Sequence, residues 1–232
     1  MSPQALDLLH GDPLAFADAF WPGLGLYDKE QEVVLSVRDS IETYVTAGNK
    51  LGKDYTAAWV ALAFFIAPQL FFEPEYVLEV ERQRQPRFDP HTRRVVTTSV
   101  KDEHLDILWG EIGRHFKTCD LGLENLLVMT HHEIRFKGEA EAKNPINYLR
   151  GQVSKVGEGM AGHHAAYSLF VCDEASGVDD QAYIAAQGWF KRALIFGNPF
   201  DCNNHFRTGV EGGNVAASDA PVIIRTTTQE PL

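Results

Sequence analysis

The stretch Ala47-Gly48-Asn49-Lys50-Leu51-Gly52-Lys53-Asp54 follows a β-prone run, Thr43-Tyr44-Val45-Thr46, and opens an apolar segment from Tyr55 to Ile66. A strand, a glycine-bearing loop ending in Gly-Lys and then a helix is the context that a phosphate-binding loop of the form G-x-x-x-x-G-K-[ST] requires. Gly52 lets the backbone wrap closely, so that successive amide N–H groups face phosphate oxygens. The following helix adds its N-terminal dipole, and Lys53 brings a full positive charge to the β- and γ-phosphates. Two positions depart from the pattern. Ala47 stands where the first glycine usually is, and Asp54 stands where a Ser or Thr hydroxyl would ligate Mg²⁺. The candidate ATP contacts are Ala47, Gly48, Asn49, Lys50, Leu51, Gly52, Lys53, Asp54 and Tyr55, and the Asp54 carboxylate is also a candidate metal ligand.

Three further segments bear on the same chemistry. Ser168-Leu169-Phe170-Val171-Cys172 is a continuous apolar run that stops at Asp173-Glu174. Such a run suits a strand covered on both faces, and ligands of open α/β sheets bind at the carboxyl ends of such strands. Asp173 is placed to hold Mg²⁺, and Glu174 to polarise an attacking water as general base. The next buried run, Arg192 to Phe196, ends at Gly197-Asn198-Pro199, which puts the polar side chain of Asn198 at a neighbouring strand tip. Upstream, Gln31 lies in a helix expected over Lys29 to Ser40, where its amide can read an adenine edge through one donor and one acceptor.

Strand-like and helix-like segments alternate along the chain, which predicts a mostly parallel α/β sheet flanked by helices. Residues 54–66 are apolar nearly all round, as expected of a helix buried on most faces. Arg94 to Ser99 reads as a strand and Lys101 to Phe116 as an amphipathic helix. Leu126–Met129 and Glu133–Phe136 read as two short strands joined at His131-His132, and Val222 to Arg225 as a last strand. The polar window Glu79 to Thr92 reads as an exposed loop. Residues 1–26 read as an N-terminal extension before a single domain over 27–232.

The 232 residues carry a net charge of −11, with 44% hydrophobic and 11% aromatic residues. That composition fills a real core, and its acidity argues against a broad nucleic-acid-coating surface. Cys119, Cys172 and Cys202 are odd in number and widely spaced, which indicates neither a zinc site nor a disulfide frame. Met1 to His10 shows no signal-peptide pattern. The apolar stretch Ala57 to Phe72 is broken by Pro68 and is too short to span a bilayer, so the protein reads as cytosolic and free of membrane. His131-His132-Glu133 looks like a metal cluster, but neighbouring side chains on a strand point to opposite faces, which argues against a shared ion.

With these segments in order, the chain resembles the ATPase domain of a viral large terminase, the motor that packages DNA into a procapsid. The resembling residues are Ala47-Gly48-Asn49-Lys50-Leu51-Gly52-Lys53, Thr97-Thr98-Ser99, Gly159-Met160-Ala161-Gly162-His163-His164, Phe170-Val171-Cys172-Asp173-Glu174-Ala175-Ser176-Gly177-Val178 and Phe196-Gly197-Asn198-Pro199. The resemblance implies a RecA-like P-loop ATPase core of the ASCE type, ATP and Mg²⁺ as cofactors, and hydrolysis coupled to translocation of double-stranded DNA. It implies Lys53 on the phosphates, Asp173 on magnesium, Glu174 as base, Asn198 as coupling residue and Gln31 near adenine. It further implies the portal protein and the small terminase subunit as partners, and a pentameric ring docked on the procapsid in the host cytoplasm. Lys50 stands where many relatives carry a P-loop arginine, and Arg150 is the candidate for an arginine finger supplied by a neighbour, with Arg82, Arg84 and Arg114 left open. A full-length terminase continues into a nuclease domain, and no signature of one follows in this chain, so ATP hydrolysis without DNA cleavage is expected. Two other classes stay open: another P-loop NTPase, helicase-like or a kinase, and a nucleotide-binding module with weak catalysis.

Overall fold

A computed structural model describes residues 12–47, 52–83, 91–153, 157–198, 202–212 and 222–225. The strands β1 (Glu42–Thr46), β2 (Arg93–Ser99), β3 (Leu127–Met129), β4 (Glu133–Phe136), β5 (Tyr148–Val153), β6 (Tyr167–Cys172), β7 (Arg192–Gly197) and β8 (Val222–Arg225) form one sheet in the order β3-β4-β5-β2-β6-β7-β1-β8. The run from β5 to β8 is parallel. β3 and β4 form an antiparallel hairpin added to the β5 edge. Parallel neighbours need crossovers, and the helices supply them: α3 (Lys53–Ile66) and α4 (Pro74–Arg82) lead from β1 to β2, α5 (Asp102–Thr118) follows β2, α6 (Asp180–Gln187) joins β6 to β7, and α7 (His205–Val210) follows β7. α1 (Pro13–Phe20) and α2 (Asp28–Asp39) precede the sheet.

Successive strand residues point to opposite faces, and the central strands supply two cores in this way. Leu169 and Val171 of β6, with Val45, Val95, Leu194 and Phe196, pack on one face under α2, α3 and α5. Phe170 and Cys172, with Tyr44, Val96, Ala193 and Ile195, pack on the other under α6 and α7. This double burial explains why the β6 and β7 sequences are continuous apolar runs. Helix α3 is covered by the sheet and its neighbours, and Ala57 through Phe65 are all buried. Among the described residues no helix is long and apolar enough to cross a membrane.

Several local structures differ from the sequence expectation. Residues 74–82, partly assigned to a loop, form α4, with Pro74 at its first turn and Val80 buried. Proline has no amide hydrogen to lose at that position, and its fixed φ favours helix initiation; residues 84–90 lie outside the described residues. The stretch before Tyr27 contains α1, capped by the Asp12 carboxylate, which accepts from the amides of Leu14 and Ala15. Phe16 and Ala17 of α1 and the adjacent Trp21 are core residues, and Trp21 meets Trp59 edge-on at 5.9 Å. β5 was hidden because Arg150-Gly151-Gln152 breaks any apolar alternation. Gly151 is needed there: a Cβ would run into the Trp109 indole, whose Nε1 donates to Thr97 Oγ1 at 3.0 Å.

That close approach yields a stability prediction. Gly151→Ala should displace Trp109, strain its bond to Thr97 and cost about 1–3 kcal/mol, read as a lower midpoint in denaturant unfolding. An unchanged midpoint would mean that the indole has room to move.

Candidate active site

The C-terminal ends of β1, β6 and β7 lie side by side, because β7 pairs with both of the others. From the β1 side, Gly52 adopts φ 80, a left-handed conformation open to glycine, and starts α3. Lys53 occupies the first turn of α3. From the β6 side, Asp173 is fixed by its backbone amide, which donates to the Thr98 carbonyl at 2.9 Å. Glu174 follows with φ 50, and it is the one non-glycine residue with positive φ among the described residues. Such a conformation costs on the order of 1–3 kcal/mol and turns the carboxylate back over the strand end. The Lys53 ammonium donates to Asp173 Oδ1 at 2.8 Å and also to Glu174 Oε1. Lys53 is 7% exposed and Asp173 3%.

The electrostatics follow from that burial. Removing Lys53 from water favours its neutral form, but the Asp173 charge and the hydrogen bonds that Lys53 donates to both carboxylates outweigh this and hold the ammonium above its ordinary pKa. Asp54, next along α3, has no such partner. Burial pushes its carboxyl up, Asp173 and Glu174 add repulsion against the relief given by Lys53, and its pKa rises to about 6. Two carboxylates therefore bind one lysine, and Asp54 adds a third negative charge to its surroundings. Beside them lies Ser99, one register step beyond the Thr98–Cys172 pair. By strand alternation it shares the face of Thr97, and its hydroxyl is fully buried without a hydrogen-bond partner. Surplus negative charge and an unsatisfied hydroxyl make an oxygen-rich donor set of the kind Mg²⁺ prefers, so these residues fit a divalent cation.

The remaining sequence candidates are distributed as follows. Ala47 follows β1, and its amide donates to the Gly197 carbonyl at 3.2 Å. Gly48, Asn49, Lys50 and Leu51 lie outside the described residues. Asn198 is half-buried at the tip of β7, between the P-loop strand and the acidic strand. Tyr55 turns away: its hydroxyl donates to the Leu24 carbonyl and its ring packs against His115. Gln31 donates to the Leu26 carbonyl at 2.9 Å and lines a surface cavity of about 480 Å³ along α2. Arg150 is not brought to Lys53. Two of its nitrogens donate to Glu133 Oε1, and the guanidinium lies 4.5 Å from the centre of the Tyr148 ring. His163 is buried on the far core, bonded to the Tyr148 hydroxyl at 2.6 Å and set against Trp189.

Two residues escaped the sequence reading. His104, in the first turn of α5, brings a ring nitrogen to the acidic pair, and one ligand atom from each of His104, Asp173 and Glu174 lies within 4.8 Å of the others. Its signal was positional: it opens the helix that follows a parallel strand beside β6. Glu30 in α2 is 2% exposed. It accepts from the Tyr27 amide and from Thr56 Oγ1, tying α2 to α3 just behind Lys53.

The raised Asp54 pKa has a signed consequence. An aspartate protonates more easily in the fold than in the unfolded chain, so ionising it costs stability as pH rises from about 4 to about 6. In the absence of nucleotide and metal, Asp54→Asn should stabilise the protein by on the order of 2 kcal/mol at pH 7. The gain should fade toward pH 4. Urea unfolding of both proteins across that range measures it, and a pH-independent difference would contradict the assignment.

No protein-family model matches the chain, and no curated protein sequence matches it. Solved structures do. The large terminase ATPase domain of Thermus phage P74-26 superposes with a TM-score of 0.50 at 13% identity, covering 83% of this chain and 79% of that one. A mutant of the same domain gives 0.54 at 12% identity, covering 85% and 81%. The large terminase of a thermophilic bacteriophage, solved in complex with ADP, gives 0.52 at 11% identity over 88% of this chain and 46% of that one. The sheet, its flanking helices and these superpositions together establish that the chain has the RecA-like fold of phage large terminase ATPase domains.

Proposed function

We propose that this chain is the ATP-hydrolysing motor domain of a viral large terminase, driving double-stranded DNA into a procapsid. The observation that carries the reading is the convergence of Lys53, Asp173 and Glu174, from two separated sequence motifs, at the carboxyl ends of two parallel strands bridged by β7 in a terminase-type fold. In the proposed reaction Lys53 leaves the carboxylates for the β- and γ-phosphates of ATP. Glu174, freed from the ammonium, orients the attacking water and accepts its proton. Asp173 and Asp54 hold Mg²⁺, which when bound neutralises charge building on the phosphates. In this reading Asn198, at the tip of β7, reports whether the terminal phosphate is present. Gln31 serves the adenine end, after giving up its bond to Leu26.

The partners follow the same reading: double-stranded DNA, a portal protein, a small terminase subunit, and further copies of the chain in a ring, commonly of five, docked on the procapsid in the host cytoplasm. Arg150 is the proposed finger for a neighbouring copy, and delivering it requires breaking its two bonds to Glu133. One observation favours a second reading, a nucleotide-binding module with weak catalysis: the Asp54 carboxylate adds negative charge where phosphates would sit.

Phosphate release from ATP in Mg²⁺ tests the catalytic assignment. Glu174→Gln should reduce the rate roughly 100-fold or more while retaining ATP binding, and Lys53→Ala should lose binding as well. Release that is unaffected by Glu174→Gln removes the catalytic reading. For the motor, DNA should stimulate turnover in the assembled packaging complex, with an effect that weakens steeply as salt rises; turnover indifferent to DNA in that complex counts against translocation.

A further inference from the structure

A second cluster lies at the same rim of the sheet but is independent of the ATP site. β4 runs antiparallel to β5, so the turn that enters it sits at the carboxyl end of the parallel strands. That turn is His131-His132, and neither histidine is in a strand. The side-chain alternation that separates neighbours on a strand therefore does not apply. Both imidazoles swing to one side, with ring centres 4.0 Å apart. His132 Nε2 lies 2.8 Å and His131 Nε2 3.6 Å from the same oxygen, Oδ1 of Asp106 on α5. One ligand atom from each of the three lies within 4.8 Å of the other two.

We propose that Asp106, His131 and His132 form a transition-metal site that takes Zn²⁺ or Co²⁺. Two imidazoles and a carboxylate are a nitrogen-rich set that suits these ions and not Mg²⁺, which prefers oxygen ligands and near-octahedral geometry. Three protein ligands leave a fourth position, and it opens to solvent: His131 is the most exposed of the three, with its side chain 79% accessible. The frame is fixed before any ion arrives. The Gly151 amide donates to the His132 carbonyl at 2.9 Å, and the Thr130 amide donates to the Glu133 carbonyl at 2.8 Å across the turn. The Trp109 ring, 5.6 Å away, flanks His132. A bound ion would pin the β3–β4 turn to the first turns of α5.

Titrating the full chain with Co²⁺ in excess Mg²⁺, while following visible d–d absorption, tests this. A band that saturates at stoichiometric Co²⁺ and is displaced by Zn²⁺ is expected. His131→Ala should weaken Co²⁺ binding about tenfold or more, and the His131→Ala/His132→Ala double variant should abolish the band. Asp173→Asn, which alters the ATP site, should leave it intact. Zn²⁺ should also raise the melting temperature of the native chain, and raise that of His131→Ala less, the exposed side chain being removable without disturbing the core. A band that survives the double variant, disappears in Asp173→Asn, or never forms overturns the proposal.

Discussion

One buried ammonium organises the carboxyl edge of this sheet. Lys53 starts α3, while Asp173 and Glu174 end β6, and these elements meet only because β7 bridges their strands. Removing one member of such a buried pair typically costs about 3–5 kcal/mol, because it leaves an unpaired charge behind. Lys53 therefore serves the nucleotide-free fold as a structural tie. Under the proposed function the same ammonium must move to phosphate oxygens, and Asp173 and Glu174, with the charge of Asp54 nearby, are then left without it. A divalent cation is the natural replacement. Under the proposed function, nucleotide and metal would be coupled by charge balance, each making room for the other.

The same reasoning makes Asp54 intelligible. A hydroxyl at that position would be neutral in every state of the site. A carboxylate is unfavourable while Lys53 is committed to Asp173 and Glu174, and becomes favourable once a cation enters. Burial lifts the Asp54 pKa first, and repulsion from Asp173 and Glu174 adds to it against the relief from Lys53.

The sequence disclosed what depends on strong local pattern. β6 and β7 were readable because strands covered on both faces are mostly apolar, and α3 because it is enclosed on nearly every side. The Lys53–Asp173–Glu174 site was readable because strand ends in a parallel sheet lie together by construction. What escaped was set by distant partners. β5 carries Arg150, Gly151 and Gln152 because it sits between β2 and β4 and answers to Trp109, Glu133 and Tyr148, none of which is near in sequence except Tyr148. α1 read as part of an N-terminal extension because its apolar residues find their partners only in the fold, where Phe16 packs on Trp21 and Trp21 on Trp59. The histidine pair was judged by strand alternation, and the chain places it in a bend.

Helix α5 connects these observations. His104 and Asp106 are two residues apart, which on an α-helix separates them by about 200°. One therefore reaches the acidic pair of the candidate ATP site while the other receives the two histidines of the β3–β4 turn. The first turns of α5 are wedged between two clusters that each concentrate ligand atoms around a point. Behind them the helix is anchored by Leu105, Leu108, Trp109 and Ile112, all buried, so it has little freedom to rotate independently of the core. A change of charge on the Asp173 side is thus met by a rigid body whose opposite face carries Asp106.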